Sequence, residues 1–114
     1  MATNKFTFGG FALANNVRQL VYTCPSGTGD TAIIHSCTVA NTHATDTANI
    51  TLEVYDNTAA VYFDVAKNVP VPAGSTLVLD GVKVNLLEDD RFHATSSDAA
   101  GKLTVLASVL EIIA

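Results

Sequence analysis

Tryptophan is absent from this 114-residue sequence, methionine occurs once, proline three times and cysteine twice. The missing indole removes the preferred stacking surface for a sugar ring, leaving three tyrosines, of which only Tyr55 and Tyr62 fall on outward-facing strand positions. Two cysteines, Cys24 and Cys37, are too few for a disulfide framework. Positive charge is also scarce: six Lys and Arg stand against eleven Asp and Glu, for a formal charge of -5. A nucleic-acid binder needs a basic surface to displace counterions from phosphates, so that class is excluded. No apolar run approaches the length of a bilayer-spanning helix, which excludes a membrane partner of that kind. The start, Met1 to Lys5, has neither the basic opening nor the apolar core of a signal peptide. The expectation is a single non-secreted domain.

Charge of either sign is low. Only 15% of residues are charged, against about 25% in ordinary soluble domains, while 48% are hydrophobic. A chain so constituted collapses, which excludes disorder. It has trouble covering its own surface, so part of that surface is expected to lie against another chain.

What the sequence has in abundance is β-branched side chains: fourteen Thr, thirteen Val and five Ile. They fit a pleated sheet and crowd a helix. Short alternating runs broken by turn residues recur along the chain, the pattern of a sandwich or barrel. Eight such runs are read at 17–24, 32–42, 48–55, 60–66, 75–79, 82–87, 91–96 and 102–113. Pro25 to Asp30 is a loop, and Asp80-Gly81 reads as a two-residue hairpin turn. Pro70 and Pro72 restrict residues 68–73 to an edge or a connection. Ile33, Cys37 and Val39 are assigned to one face, as are Ile50, Leu52 and Val54, and Val61, Phe63 and Val65. The fold expected is an all-β, single antiparallel sandwich of about eight strands, jelly-roll or immunoglobulin-like, over residues 17–114. Residues 1–16 precede it as an extended N-terminal arm or an added edge strand.

Candidate chemistry is thin. A hairpin centred near Thr28 would set Cys24 against Ala32 and Cys37 against Gln19, so the two are expected to be free thiols. His35 and Cys37 share a strand face two residues apart, about 7 Å, too far for a nucleophile–base pair. Cys24, His35, Cys37 and His93 are of the types zinc favours but lack paired spacing. Glu88-Asp89-Asp90, with Asp80 and Asp98, offers oxygen ligands without a calcium-loop pattern. No catalytic residue, cofactor or metal site is assigned, and the chain is read as a non-enzyme.

Two segments do not fit a self-contained sandwich. The last run carries Leu103, Val105, Ala107 and Val109 on one face and Leu106, Leu110 and Ile112 on the other. A strand apolar on both faces is central and doubly covered, or covered by another subunit. The first sixteen residues hold Phe6, Phe8 and Phe11 around Gly9-Gly10, with Lys5 as the only charge. Phe6, Phe8, Phe11, Leu106, Leu110 and Ile112 are therefore the candidate contact residues.

Several stretches resemble small virion structural proteins of tailed bacteriophages. They are Val21-Tyr22-Thr23-Cys24-Pro25-Ser26-Gly27, the run from Ala32 to Thr42, Val69-Pro70-Val71-Pro72-Ala73-Gly74-Ser75, Leu79-Asp80-Gly81, Leu86-Leu87-Glu88-Asp89-Asp90, and Ala107 to Ile112. The resemblance implies a virion component made in the host cytoplasm. It points first to a capsid decoration (cement) protein that binds the major capsid protein as a homo-oligomer, a trimer by the symmetry of three-fold shell positions. A tail, neck or baseplate component is the second reading, and a glycan- or host-receptor-binding module the third.

Overall fold

The computed structural model describes residues 3–12, 17–97 and 102–113, without the side chains of residues 3, 11, 12 and 80–83. Eight strands follow one another: β1 (Thr3–Ala12), β2 (Gln19–Thr23), β3 (Thr31–Asn41), β4 (Ala48–Asp56), β5 (Val61–Val71), β6 (Thr76–Leu86), β7 (Arg91–Ser96) and β8 (Leu103–Ile113). They form two four-stranded sheets of order β1-β8-β3-β6 and β2-β7-β4-β5. All pairings are antiparallel. Successive strands that switch sheets in this order make a jelly roll, one of the two sandwiches the alternation allowed. The domain is elongated, 50 × 26 × 20 Å.

The inner faces close on each other through strict alternation. Leu103, Val105, Ala107 and Val109 of β8 are fully buried, beside Ala32, Ile34, Cys37 and Val39 of β3. Ile50, Leu52, Phe92 and Ala94 meet them from the second sheet. One buried polar side chain fastens the layers at one end. Asn41 donates to the Val71 carbonyl (2.8 Å) and the Asp46 carbonyl (2.9 Å) and accepts from the His43 amide (2.9 Å). At the other end Asp90 accepts from the Asn57 and Leu87 amides, both at 2.9 Å.

Residues 3–12, within the segment read as an arm or an added edge strand, are the edge strand β1, paired with β8 along its whole length. Its alternation matches that of β8, so the backbone satisfies its hydrogen bonds there. Four sequence expectations change. The Asp80-Gly81 hairpin does not form: residues 75–79 and 82–87 belong to the single strand β6. Ile34 pairs with Val84 but Ser36 with Asp80, so residues 81–83 bulge against His35 alone. That bulge absorbs the glycine that looked like a turn. Against β8, where Ile34 pairs with Val109 and Ser36 with Ser108, His35 is an extra residue, and this bulge in β3 reverses its phase, which places Ile34 inside and leaves Ile33 half-buried. β2 and β3 lie in different sheets, so no hairpin joins them across the Pro25 to Asp30 loop. Finally, Val61 and Phe63 are exposed: β5 is an edge strand, and alternation at an edge does not guarantee burial.

Candidate interaction surface

β8 lies between β1 and β3, and its outward side chains run as rows across the sheet. Phe6 is opposite Leu110, which is opposite Ile33; Phe8 is opposite Ser108 and then Ser36. Gly10 meets Leu106, Thr38 and Val78 in turn, and Asn4 meets Ile112 and Thr31. Five of the six candidate contact residues thus converge on one face. Phe11 pairs with Val105 in the backbone register, and its side chain lies outside the described residues. Phe6 is 73% exposed, Phe8 70%, Val78 57% and Leu106 47%. Among the described side chains of this face there is no Asp, Glu, Lys or Arg. Ile33 and Val78 were missed by sequence reading: the bulge in β3 put Ile33 on the face opposite to the one assigned, and the run 75–79 was given no face.

The face is shaped at two points. At Gly10 a β-carbon would come 2.6 Å from the Val105 carbonyl oxygen and 2.8 Å from a Leu106 methyl. Leu106 therefore lies across the space a side chain at position 10 would fill. The His35 Nε2 and Ser108 Oγ are 3.0 Å apart, and the His35 ring stands edge-on to Phe6 at 5.7 Å. These contacts tie the β3 bulge to β8 and β1. Cys37 lies in the core instead, so the bulge separates the two residues that alternation had placed together. Burial pushes the Cys37 thiol up to about 11. Cys24, also raised to about 11 by burial and then by Asp90 and Asp30, donates to the Leu86 carbonyl at 3.7 Å. Neither thiol is in a disulfide, and neither is activated as a nucleophile.

Where β1 meets the second sheet, the charges are satisfied locally. The nearly buried Glu111 carboxylate accepts from the Tyr22 hydroxyl and lies 3.4 Å from the Lys5 ammonium. Burial, followed by that hydrogen bond, holds the Tyr22 hydroxyl above its ordinary range. Below β1, Gly9 meets β2 so closely that a β-carbon there would sit 2.4 Å from the Val21 carbonyl oxygen.

The outer face of the second sheet is of opposite character. Both arginines of the sequence stack on tyrosines there. The Arg18 guanidinium sits 3.7 Å from the Tyr62 centroid and grips Glu53 with two hydrogen bonds, 2.9 and 3.1 Å. Arg91 lies 4.5 Å over Tyr55, and the two tyrosine rings are 4.7 Å apart. His93 is buried beneath Tyr62, 5.4 Å ring to ring. Burial, then Arg91 and Arg18, lower its pKa. The tyrosine pair named as the candidate sugar platform is a cross-strand pair, and guanidinium groups occupy ring faces that a sugar would need.

Metal-ligating residues are dispersed. Cys24 and Cys37 are in the core, His35 and His93 are on opposite outer faces, and Glu88 and Asp90 accept backbone amides. Among the described residues no three His, Cys, Asp or Glu side chains are grouped to hold an ion. No helix among them is long and apolar enough to cross a membrane.

No protein-family model and no curated protein sequence matches this chain. Solved structures do match in fold. A chain of the acidic stable capsid structure of Helicobacter pylori bacteriophage KHP30 superposes with a TM-score of 0.57 at 13% identity, covering 99% of this chain and 94% of that one. A chain from disulfide-linked pili, the endospore appendages of Bacillus, gives 0.55 at 12% identity, with 98% and 87% covered. The Gx strain of infectious bursal disease virus gives 0.55 at 11% identity over 96% of this chain and 32% of the viral one. The shared feature is the fold, found in viral capsid structures and in an endospore appendage.

Proposed function

We propose that this chain is a virion structural protein, and within that class a capsid decoration protein that acts by contact area. The observation that carries the reading is the outer face of the first sheet, where Phe6, Phe8, Leu106, Leu110 and Ile112 stand in adjoining rows and no charged side chain occurs among those described. A Phe side chain left in water forgoes about 1.5–3 kcal/mol relative to full burial. Two such rings side by side, extended by Leu106 and Val78, form a patch of the size that marks interaction sites. The whole-length fold match to the KHP30 capsid structure supports a place in a virion. The contact would be to the major capsid protein or to another copy of the chain, with no chemistry performed.

The glycan-binding reading loses its platform to Arg18 and Arg91. A pilus cross-linked through Cys24 or Cys37 would need thiols that reach a neighbour, whereas both are in the core.

The test is immunogold labelling of intact virions with antibody against the chain. Label over the capsid exterior is expected, and Phe6→Lys or Phe8→Lys should reduce recovery on particles while leaving thermal unfolding unchanged. Label confined to the tail or neck would shift the assignment to that part of the virion. Unlabelled virions would overturn the proposal.

A further inference from the structure

We infer that β1 is a pairing edge for a second copy of this chain, joining two first sheets into one continuous sheet across a two-fold axis near Thr7. The inference does not depend on the virion reading.

The four sheet edges are not equivalent. An edge strand presents unpaired backbone groups, and proteins commonly blunt it with shortness, proline, charge or a bulge. β2 is five residues long and irregular at Leu20 to Tyr22. β5 carries Lys67, Pro70 and the left-handed Asn68 (φ 50°), with two register shifts. β6 is bulged at residues 81–83, one of them Lys83. β1 has none of these devices: it runs ten residues without a register shift, without proline, and with one charge. That charge, Lys5, is engaged by Glu111.

The strand is also self-complementary. An antiparallel pair centred on Thr7 sets Phe6 of each copy opposite Phe8 of the other, on the outer face. Cross-strand aromatic pairs of this kind stabilise sheets. In the same register each Lys5 faces Gly9 and each Asn4 faces Gly10, so no like charges oppose each other and the rings can spread over bare backbone. Such an interface is isologous and closes as a dimer. On these grounds the association in solution is two-fold, in place of the three-fold one expected from shell positions. A few strand residues per copy bury less than the roughly 800 Å² per partner of a stable complex, so the dimer is weak and concentration-dependent.

Sedimentation equilibrium of the full chain from micromolar to millimolar concentration should show the mass rising to twice that of the monomer. Phe6→Lys and Phe8→Lys should each weaken the association at least about tenfold, as loss of an interface anchor does, without changing unfolding at low concentration. Thr7→Cys should form a covalent dimer under mild oxidation, since its two copies face each other at the axis. Asn4→Cys should not, because its two copies lie about 20 Å apart along the paired strands. A monomer at every concentration, an association indifferent to the Phe substitutions, or equal cross-linking at positions 4 and 7 would overturn the inference. A monomer that labels virion capsids would remove the pairing edge and leave the proposed function intact. A dimer absent from virions would do the reverse.

Discussion

Asn41 offers the sharpest quantitative test of the fold. Its side chain makes three hydrogen bonds, to the Val71 and Asp46 carbonyls and from the His43 amide. Two further bonds at this position use its backbone, Asn41 N to the Ser75 carbonyl and Gly74 N to the Asn41 carbonyl, and survive substitution. In Asn41→Ala the Val71 carbonyl is left orphaned in the interior, a penalty of about 1–3 kcal/mol, while the two loop partners regain water and lose about 0.5–1.5 kcal/mol each at most. The sum is about 2–6 kcal/mol. At roughly 3–6 °C per kcal/mol for a domain of this size, the melting temperature should fall by about 6–36 °C. Asn41→Asp separates bonding from shape. It keeps the acceptor for the His43 amide but turns a carboxylate oxygen toward two carbonyls, so at neutral pH it should be less stable than Asn41→Ala. The introduced carboxyl would have a folded-state pKa raised above its unfolded value of about 3.9. Its destabilisation is therefore present at high pH and relieved as pH falls through the raised value. Calorimetric unfolding of the two variants at several pH values reads both effects. A loss under about 1 kcal/mol for Asn41→Ala, or Asn41→Asp the more stable of the two at neutral pH, would refute the reasoning.

Three other outcomes follow from the same geometry. His93 has a folded-state pKa below its unfolded value of about 6.5, through burial and the two arginines; its contribution to stability is present above about 6.5 and lost as pH falls below it. His93→Gln should flatten the acid limb of a melting-temperature profile, and an unchanged acid limb would contradict this. Gly9→Ala should destabilise by about 1–3 kcal/mol, the usual cost of overpacking, because the Val21 backbone blocks the new methyl; equilibrium denaturation matching the wild type would show that β2 yields freely. Cys24 and Cys37 should resist an aromatic disulfide reagent in the native protein and react together on unfolding, given buried thiols raised to about 11. A rapid reaction of either in the folded state would contradict their placement.

Much of the fold was legible because alternation is a local property that tertiary structure preserves in β8, β4 and β7. The two apolar faces of β8 allowed a doubly covered central strand or one covered by another subunit; β8 is central in its sheet with its outer face open, and its outward Leu106, Leu110 and Ile112 fell beside Phe6 and Phe8 as a single surface. What failed was information carried by partners distant in sequence. Asp80-Gly81 has the composition of a turn, yet β3 pairs on both sides of it and turns it into a bulge. The His35 bulge reversed a phase that no local pattern marks. The meaning of Gly9-Gly10 is steric, set by Val21 and Leu106, and no residue near the pair marks either partner. The Arg18–Glu53 grip joins residues 35 apart, and nothing near either residue forecasts the other.

The contrast between the two outer faces is informative beyond either one. A sandwich with few charges can spread them evenly or concentrate them, and among the described side chains the two outer sheet faces differ in charge. Both arginines, with Glu53, occupy the outside of the second sheet, and none of the four charged residue types occurs among the described side chains outside the first. Stability of the isolated domain does not require that division. With at least 70% of each ring exposed, Phe6 and Phe8 realise under a third of the roughly 1.5–3 kcal/mol that full burial would supply. Polar β-formers at those positions would keep the strand and improve solubility. The rings reach their full effect only when another surface covers them, and the charged second sheet then remains toward water. Apolar rings on one side and solvated charges on the other give the domain two unlike faces, which is what the proposed capsid contact would require.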